Sequence, residues 1–208
     1  DLDKQRELEE DESLAGSAGN SLEVLDAICF LKGEGDRPRL ETVVMSLSAE
    51  LLVLGGLAKD REQARRDLKR ALDSGKAAKI FGQMVAGLGG PGDLVENPEQ
   101  YLPPANVIAD VPSSESGWID QIDTRELGMA VVELGGGRVR VEDKIDHSVG
   151  LSEIVELGMK LDQGDPLCRI HARSEGDACR AQERVINAIS LSDSHSSGQP
   201  IVYEVIEG

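Results

Sequence analysis

The feature that most constrains this chain is a change of hydrophobic period about half-way along it. Up to about Leu102 apolar residues recur near every 3.6 positions, the spacing that lines one face of a helix. Asn20 or Ser21 caps a first helix carrying Leu22, Leu25, Ile28, Cys29 and Leu31, stopped near Gly33. Pro38 opens a second, with Leu40, Val43, Val44, Leu47, Leu51 and Leu54 expected inward and Gly55-Gly56 ending it. Asp60 with Gln63 resembles a capping box before a basic amphipathic stretch that stops at Gly75. A fourth helix is expected over Lys76 to Leu88, with Ile80, Met84 and Val85 as its apolar positions. Pro98 to Pro104 (PEQYLPP) reads as a linker, so the domain division is placed at 1–105 and 106–208.

Beyond the linker the segments are short, β-branched and bounded by Gly, Ser, Asp or Pro. Asn106–Val111, Trp118–Ile122, Met129–Leu134 and Arg138–Val141 read as strands. Glu126-Leu127-Gly128-Met129 recurs as Glu156-Leu157-Gly158-Met159, which suggests a β module of two similar halves about a pseudo-twofold axis. Asp177 to Leu191 returns to helix, and a polar loop (SDSHSSGQP) leads to a final strand at Ile201–Ile206. The fold class is therefore α/β overall and α+β within this chain: a helical part, then a β-rich module with one returning helix. A parallel sheet needs helices on both its faces, so helices at 20–90 without strands of their own imply partners elsewhere and exposed apolar faces here.

Charge narrows the function. Lys and Arg number 22 against 39 Asp and Glu, a net charge of −17 that repels nucleic acid and anionic membranes. No apolar run approaches the roughly 20 residues a membrane helix needs. Cys29, Cys168 and Cys179 are an odd number without a CxxC pair, and read as reduced thiols in a cytoplasmic protein. The chain begins at Asp1, and a fragment of a longer protein is expected.

Local chemistry is sparse. His147, His171 and His195 share no metal-ligand spacing, and structural or solvent roles are expected for them. No nucleophile elbow or Walker loop is present. Gly135-Gly136-Gly137 before Arg138 offers either a tight hairpin or, less simply, backbone N–H groups for an anion. The acidic run Glu7 to Glu12 reads as solvated.

Several blocks in order carry a resemblance. They are SLAGSAGNSLEV (Ser13–Val24), LAKD (Leu57–Asp60), LDSGKAAKIFGQMV (Leu72–Val85) and VEN…YLP (Val95–Pro103). DTRELGMAVVELGGGR (Asp123–Arg138), DKIDHSVGL (Asp143–Leu151) and GDPLCRIHA (Gly164–Ala172) follow. Together, from about Leu14 to Tyr203, they resemble the carboxy-terminal half of the thymidine/pyrimidine-nucleoside phosphorylase family. The resemblance implies reversible phosphorolysis of thymidine to thymine and 2-deoxyribose 1-phosphate, with thymidine and phosphate as partners and a homodimer formed through a helical domain of the amino-terminal half. It also implies that the catalytic donors, a Lys-His-Ser-Thr-Gly-Gly loop and an Arg…Ser…Lys set, lie in that half; neither motif occurs here. No cofactor is required, but relatives hold a monovalent or divalent cation, and the matching positions are Leu14, Ser17 and Asp26. The family often has Glu at Asp26. QRELEEDE (Gln5–Glu12) looks inserted, because Asp3 stands eleven residues before Leu14 where relatives place the matching Asp about five before it. The rival reading is a non-catalytic binding or interaction module, since GDPLCRI distantly resembles swinging-arm carrier domains. Their hairpin-tip lysine commonly sits beside Met, and the tip candidates here, Gly135–Gly137 and Asp143-Lys144, have no Met-Lys pair.

Overall fold

The structure, a computed structural model, describes residues 16–35 and 37–195. The expected final strand at Ile201–Ile206 and the inserted stretch at 5–12 lie outside these residues. Two compact units divide the chain: one takes in 16–24 with 102–195, the other 25–101. The division at Tyr101 and Leu102 falls close to the linker read from sequence, and residues 16–24 group with the β-rich unit.

Mixed α and β structure runs through the chain as expected. In chain order the helices before the linker are α1 (Asn20–Lys32), α2 (Pro38–Leu54), α3 (Arg61–Asp73), α4 (Lys76–Gly87) and the single turn α5 (Pro98–Tyr101). The boundaries follow the local signals. Pro38 begins α2, and the Asp60 side chain accepts from the Gln63 N–H at 2.7 Å to cap α3. Gly33 (φ 71°) follows the end of α1. The linker reading is corrected at α5: with the Asn97 side chain donating to Asp93 at 3.0 Å, Pro98 is placed at a helix start, where its missing N–H costs nothing.

The helical unit contradicts one expectation about facing. Met45 and Ala49 are the buried residues of α2, and Ala49, Ala58 and Ala64 form a small core with Leu52, Val53 and Leu68 against it. Leu47, Leu51 and Leu54 point outward, 63%, 68% and 82% exposed. Ile80 and Met84 of α4 are exposed as well. The narrow alanine face lets α2 and α3 approach closely, so the bulkier leucines take the other side.

After the linker come β1 (Val107–Pro112), β2 (Gly117–Ile122), α6 (Thr124–Leu134), β3 (Gly150–Ser152), β4 (Lys160–Leu161), β5 (Pro166–Ala172), α7 (Glu175–Ala188) and β6 (Ile189–Ser192). The strands form two three-stranded antiparallel sheets, ordered β1-β5-β3 and β4-β2-β6. In the first, Val107 faces Ala172 and Val111 faces Cys168; in the second, Ile122 faces Ile189. Val111, Ile119, Ile122, Leu134, Leu151, Cys168, Ile170 and Val185 form one buried core with α6 and α7 over it.

Met129–Leu134, read as a strand, is helix, and Arg138–Val141, also read as a strand, is an irregular stretch of bends running into a turn at Val141. The Asp123 carboxylate accepts from the Glu126 N–H at 2.9 Å and starts a helix whose buried Leu127, Ala130, Val131 and Leu134 keep a helical spacing. That cap outweighs the β-branched valines. The returning helix ends at Ala188, so Ile189–Leu191 joins the sheet instead. The repeated Glu-Leu-Gly-Met is not a structural repeat: its first copy lies within α6, its second in a turn where Gly158 sits at φ 77°.

Residues 16–18 run beside β3. Ala18 and Leu151 exchange N–H to O bonds of 2.9 and 2.7 Å, and the Ile154 N–H donates to Gly16 O at 2.9 Å. Gly19 (φ 134°) and Gly150 (φ 154°) meet where this strip crosses β3, and a Cβ on Gly150 would collide with the Ala18 carbonyl. Gly150→Ala therefore combines left-handed backbone strain with a backbone clash, and is expected to cost about 2 kcal/mol or more of stability. Urea denaturation of the full chain checks this; an unchanged midpoint would contradict it.

Candidate functional site

The residues singled out from sequence fall into different settings. Leu14 lies outside the described residues. Ser17 is buried in the strip beside β3. Asp26, on α1, has its Oδ1 2.6 Å from Arg37 Nη2, with both side chains partly buried. This carboxylate therefore has a guanidinium counter-ion. Among the described residues no group of three or more His, Cys, Asp or Glu side chains gathers as for a metal ion.

The triple glycine is neither hairpin nor anion cradle. Gly135, at φ 97°, ends α6: its N–H donates to Val132 O at 3.0 Å, and the Gly136 N–H donates to Val131 O at 2.9 Å. These two bonds close a Schellman motif and spend the N–H groups an anion would need. A Cβ on Gly136 would press on Val131 Cγ1 at 2.7 Å, and one on Gly135 would meet the Arg173 guanidinium at 2.8 Å. The Gly136 carbonyl accepts from the Asn20 side chain at 2.9 Å. Lys144, the nearest match to a carrier lysine, stands in the non-strand stretch between α6 and β3, not in a turn joining two paired strands. The basic stretch of α3 is largely spent on itself, through Arg66–Glu62, Lys69–Asp73 and Arg70–Asp67 pairs.

The three histidines have the structural or solvent settings expected of them. His147 is exposed, and its carbonyl accepts from the Ser21 N–H at 3.0 Å. His195 sets its ring edge against Trp118, with centroids 4.8 Å apart. His171 is 9% exposed, and its Nε2 lies 2.8 Å from Ser152 Oγ.

Sequence reasoning passed over the polar group around His171. Alternation along β5 puts Arg169 and His171 on the face opposite Cys168, Ile170 and Ala172. Register then brings Asp110 of β1 and Ser152 of β3 opposite Arg169 from its two sides. Arg169 Nε donates to Asp110 Oδ1 at 2.8 Å, and Nη1 donates to Glu153 Oε1 at 2.9 Å. The two carboxylates hold the Arg169 guanidinium above its ordinary range. Burial, and secondly Arg169, push the His171 imidazole below its ordinary value, with Glu153 acting the other way. The signal was present in GDPLCRIHA as alternating polar and apolar residues, but not its cross-strand partners. Chemically the group is a largely covered imidazole hydrogen-bonded to Ser152, beside solvent-exposed ion pairs of Arg169 with Asp110 and Glu153.

The cysteines differ in reactivity for a physical reason. Burial pushes the Cys168 thiol up to about 12, whereas Cys179 is exposed on α7. Since the thiolate is the reactive form, a disulfide reagent at pH 8 is expected to modify Cys179 quickly and Cys168 only after unfolding. Peptide mapping after timed labelling checks this, and equal rates at the two positions would contradict it.

The geometry thus supplies a folded β-rich unit with an internally satisfied polar face. Its stretch from Trp118 in β2 to Ser192 at the end of β6 matches a family model: residues 118–192 are similar to the pyrimidine nucleoside phosphorylase C-terminal domain.

Proposed function

We propose that this chain is the carboxy-terminal part of a thymidine phosphorylase acting in pyrimidine nucleoside salvage in the cytoplasm. The observation that carries the reading is the match of residues 118–192 to the pyrimidine nucleoside phosphorylase C-terminal domain. The blocks from Ser13 to Pro103 that resemble the same family support it from outside that range. In the proposed reaction phosphate oxygen bonds to the anomeric carbon of thymidine as the glycosidic bond to thymine breaks. The departing base takes the electron pair and a proton, leaving 2-deoxyribose 1-phosphate. Such a step needs cationic and hydroxyl donors placed around both the anion and the developing charge. The family resemblance puts those donors in an amino-terminal half, and the helical unit here would belong to that half's α/β domain. The exposed leucine stripe of α2 and the exposed Ile80 and Met84 of α4 accord with helices that require covering partners. A homodimer through the helical domain of that half completes the proposal.

Within this chain the residues have supporting tasks. The Gly135-Gly136 stop of α6 leaves no N–H pair there for phosphate, His171 is covered, and the net charge of −17 does not concentrate anions. The carrier alternative gains nothing from Lys144, and an intact-mass measurement without a biotinyl or lipoyl adduct would dispose of it.

Thymine release from thymidine in phosphate buffer tests the proposal. The chain alone is expected to stay at background, and the chain mixed with a separately made amino-terminal half to turn over. Robust turnover by the chain alone would overturn the placement of the donors. No turnover in a mixture whose halves demonstrably associate would overturn the thymidine reading.

A further inference from the structure

The polar face of β5 holds a pair of side chains that the proposed phosphorolysis does not use. Ser152 Oγ and His171 Nε2 stand 2.8 Å apart, and the bond runs diagonally across the β3–β5 ladder, because Gly150 faces His171 while Ser152 faces Arg169. β3 is only three residues long, and residues 16–18 are attached to its other side through Ala18 and Gly16. Few backbone bonds therefore hold this edge, and a cross-strand side-chain bond weighs heavily in its closure. Immediately after β3, Glu153 is held at φ 53°, an uncommon conformation for a residue with a side chain, and from there its carboxylate reaches Arg169.

We propose that Ser152 and His171 form an acid-released clasp, in which the neutral imidazole keeps β3, and residues 16–18 with it, closed on β5, and uptake of a proton by His171 loosens that edge. The surroundings make a charged imidazole costly. His171 is 9% exposed, so a cation there loses most of its water. From β5 itself the charged neighbour on its face is Arg169; from the turn after β3 it is Glu153; from β1 it is Asp110, which stands opposite Arg169. Arg173, just past the end of β5, faces Asp146 at 4.0 Å. Glu153 and Asp110 both accept from Arg169, so their charge is shared with that guanidinium rather than given over to His171.

The sign follows from the lowered basicity of the folded imidazole. An opened or unfolded chain takes up the proton near pH 6.5, before the closed form does. Closure is at full strength above that pH and weakens as pH falls toward the folded value.

Hydrogen exchange of the full chain, corrected for the intrinsic pH dependence of exchange, reads this directly. Between pH 7 and pH 5 the amides of Ala18, Leu151 and Ile154 are expected to lose protection severalfold, in the direction set by the lowered basicity of the folded imidazole. Amides of the β1–β5 ladder, such as Ala109, should change less. His171→Gln keeps a hydrogen-bonding side chain without the titration, and should remove the pH-dependent loss. Should that variant not fold, the wild-type protein decides alone: the midpoint of the loss must coincide with the titration of the His171 ring proton resonance. Protection that stays level while His171 titrates, or a loss that persists in His171→Gln, would overturn the proposal.

Discussion

The β-rich unit depends on one close crossing of backbone, where Gly19 and Gly150 meet and Ala18 pairs with Leu151. The two strips come from distant parts of the chain, so bringing them together carries a loop-closure cost that the contacts made there must offset. Those contacts are several. Besides the two bonds between Ala18 and Leu151, the Asn20 side chain holds the Gly136 carbonyl and the Ser21 N–H holds the His147 carbonyl. The result fixes both ends of the long stretch between α6 and β3, which has little regular structure of its own. It also closes the β3 edge of the first sheet with a further backbone partner.

The acidic excess is handled by arginines that each bridge two carboxylates. Arg184 of α7 pairs with Glu126 and Glu133 of α6, and ties the two helices that cover the core. Arg169 does the same between Asp110 of β1 and Glu153 after β3. A planar guanidinium suits this bridging, whereas a lysine ammonium offers a single point charge. In the helical unit the pattern differs, and α3 carries pairs within the one helix, as in Arg66–Glu62 and Lys69–Asp73.

Helix ends were legible where a single residue type decides them. Pro38, the Asp60–Gln63 pair and Gly33 each mark a boundary that the backbone follows. Facing was less legible: α2 has apolar residues on more than one side, and which side is buried was decided by the small residues Ala49 and Ala64. In the second half, β-branched content around Val131 and Val132 pointed to a strand, but the Asp123 cap and the Gly135 stop bracket a helix. The repeated Glu-Leu-Gly-Met shows the same limit, since four residues take their conformation from the caps and turns around them. Of the polar cluster only the alternation in β5 was visible. The approach of Asp110, Ser152 and Glu153 to it arises from register between strands, which a single sequence does not display. Among the candidate cation residues, Asp26 was visible as a carboxylate on a helix, but its pairing with Arg37 became visible only with the turn between α1 and α2 in place.

The central physical claim is that residues 16–18 belong to the cooperative core of the β-rich unit rather than lying on it. Native-state hydrogen exchange at neutral pH, followed at increasing low concentrations of denaturant, measures this most directly. At neutral pH, with the Ser152–His171 bond made, the Ala18 and Leu151 amides should open together with β3 in one large event, with a substantial shared denaturant slope. Exchange of Ala18 through a small local opening, with little denaturant dependence and well below the protection of Leu151, would contradict the account.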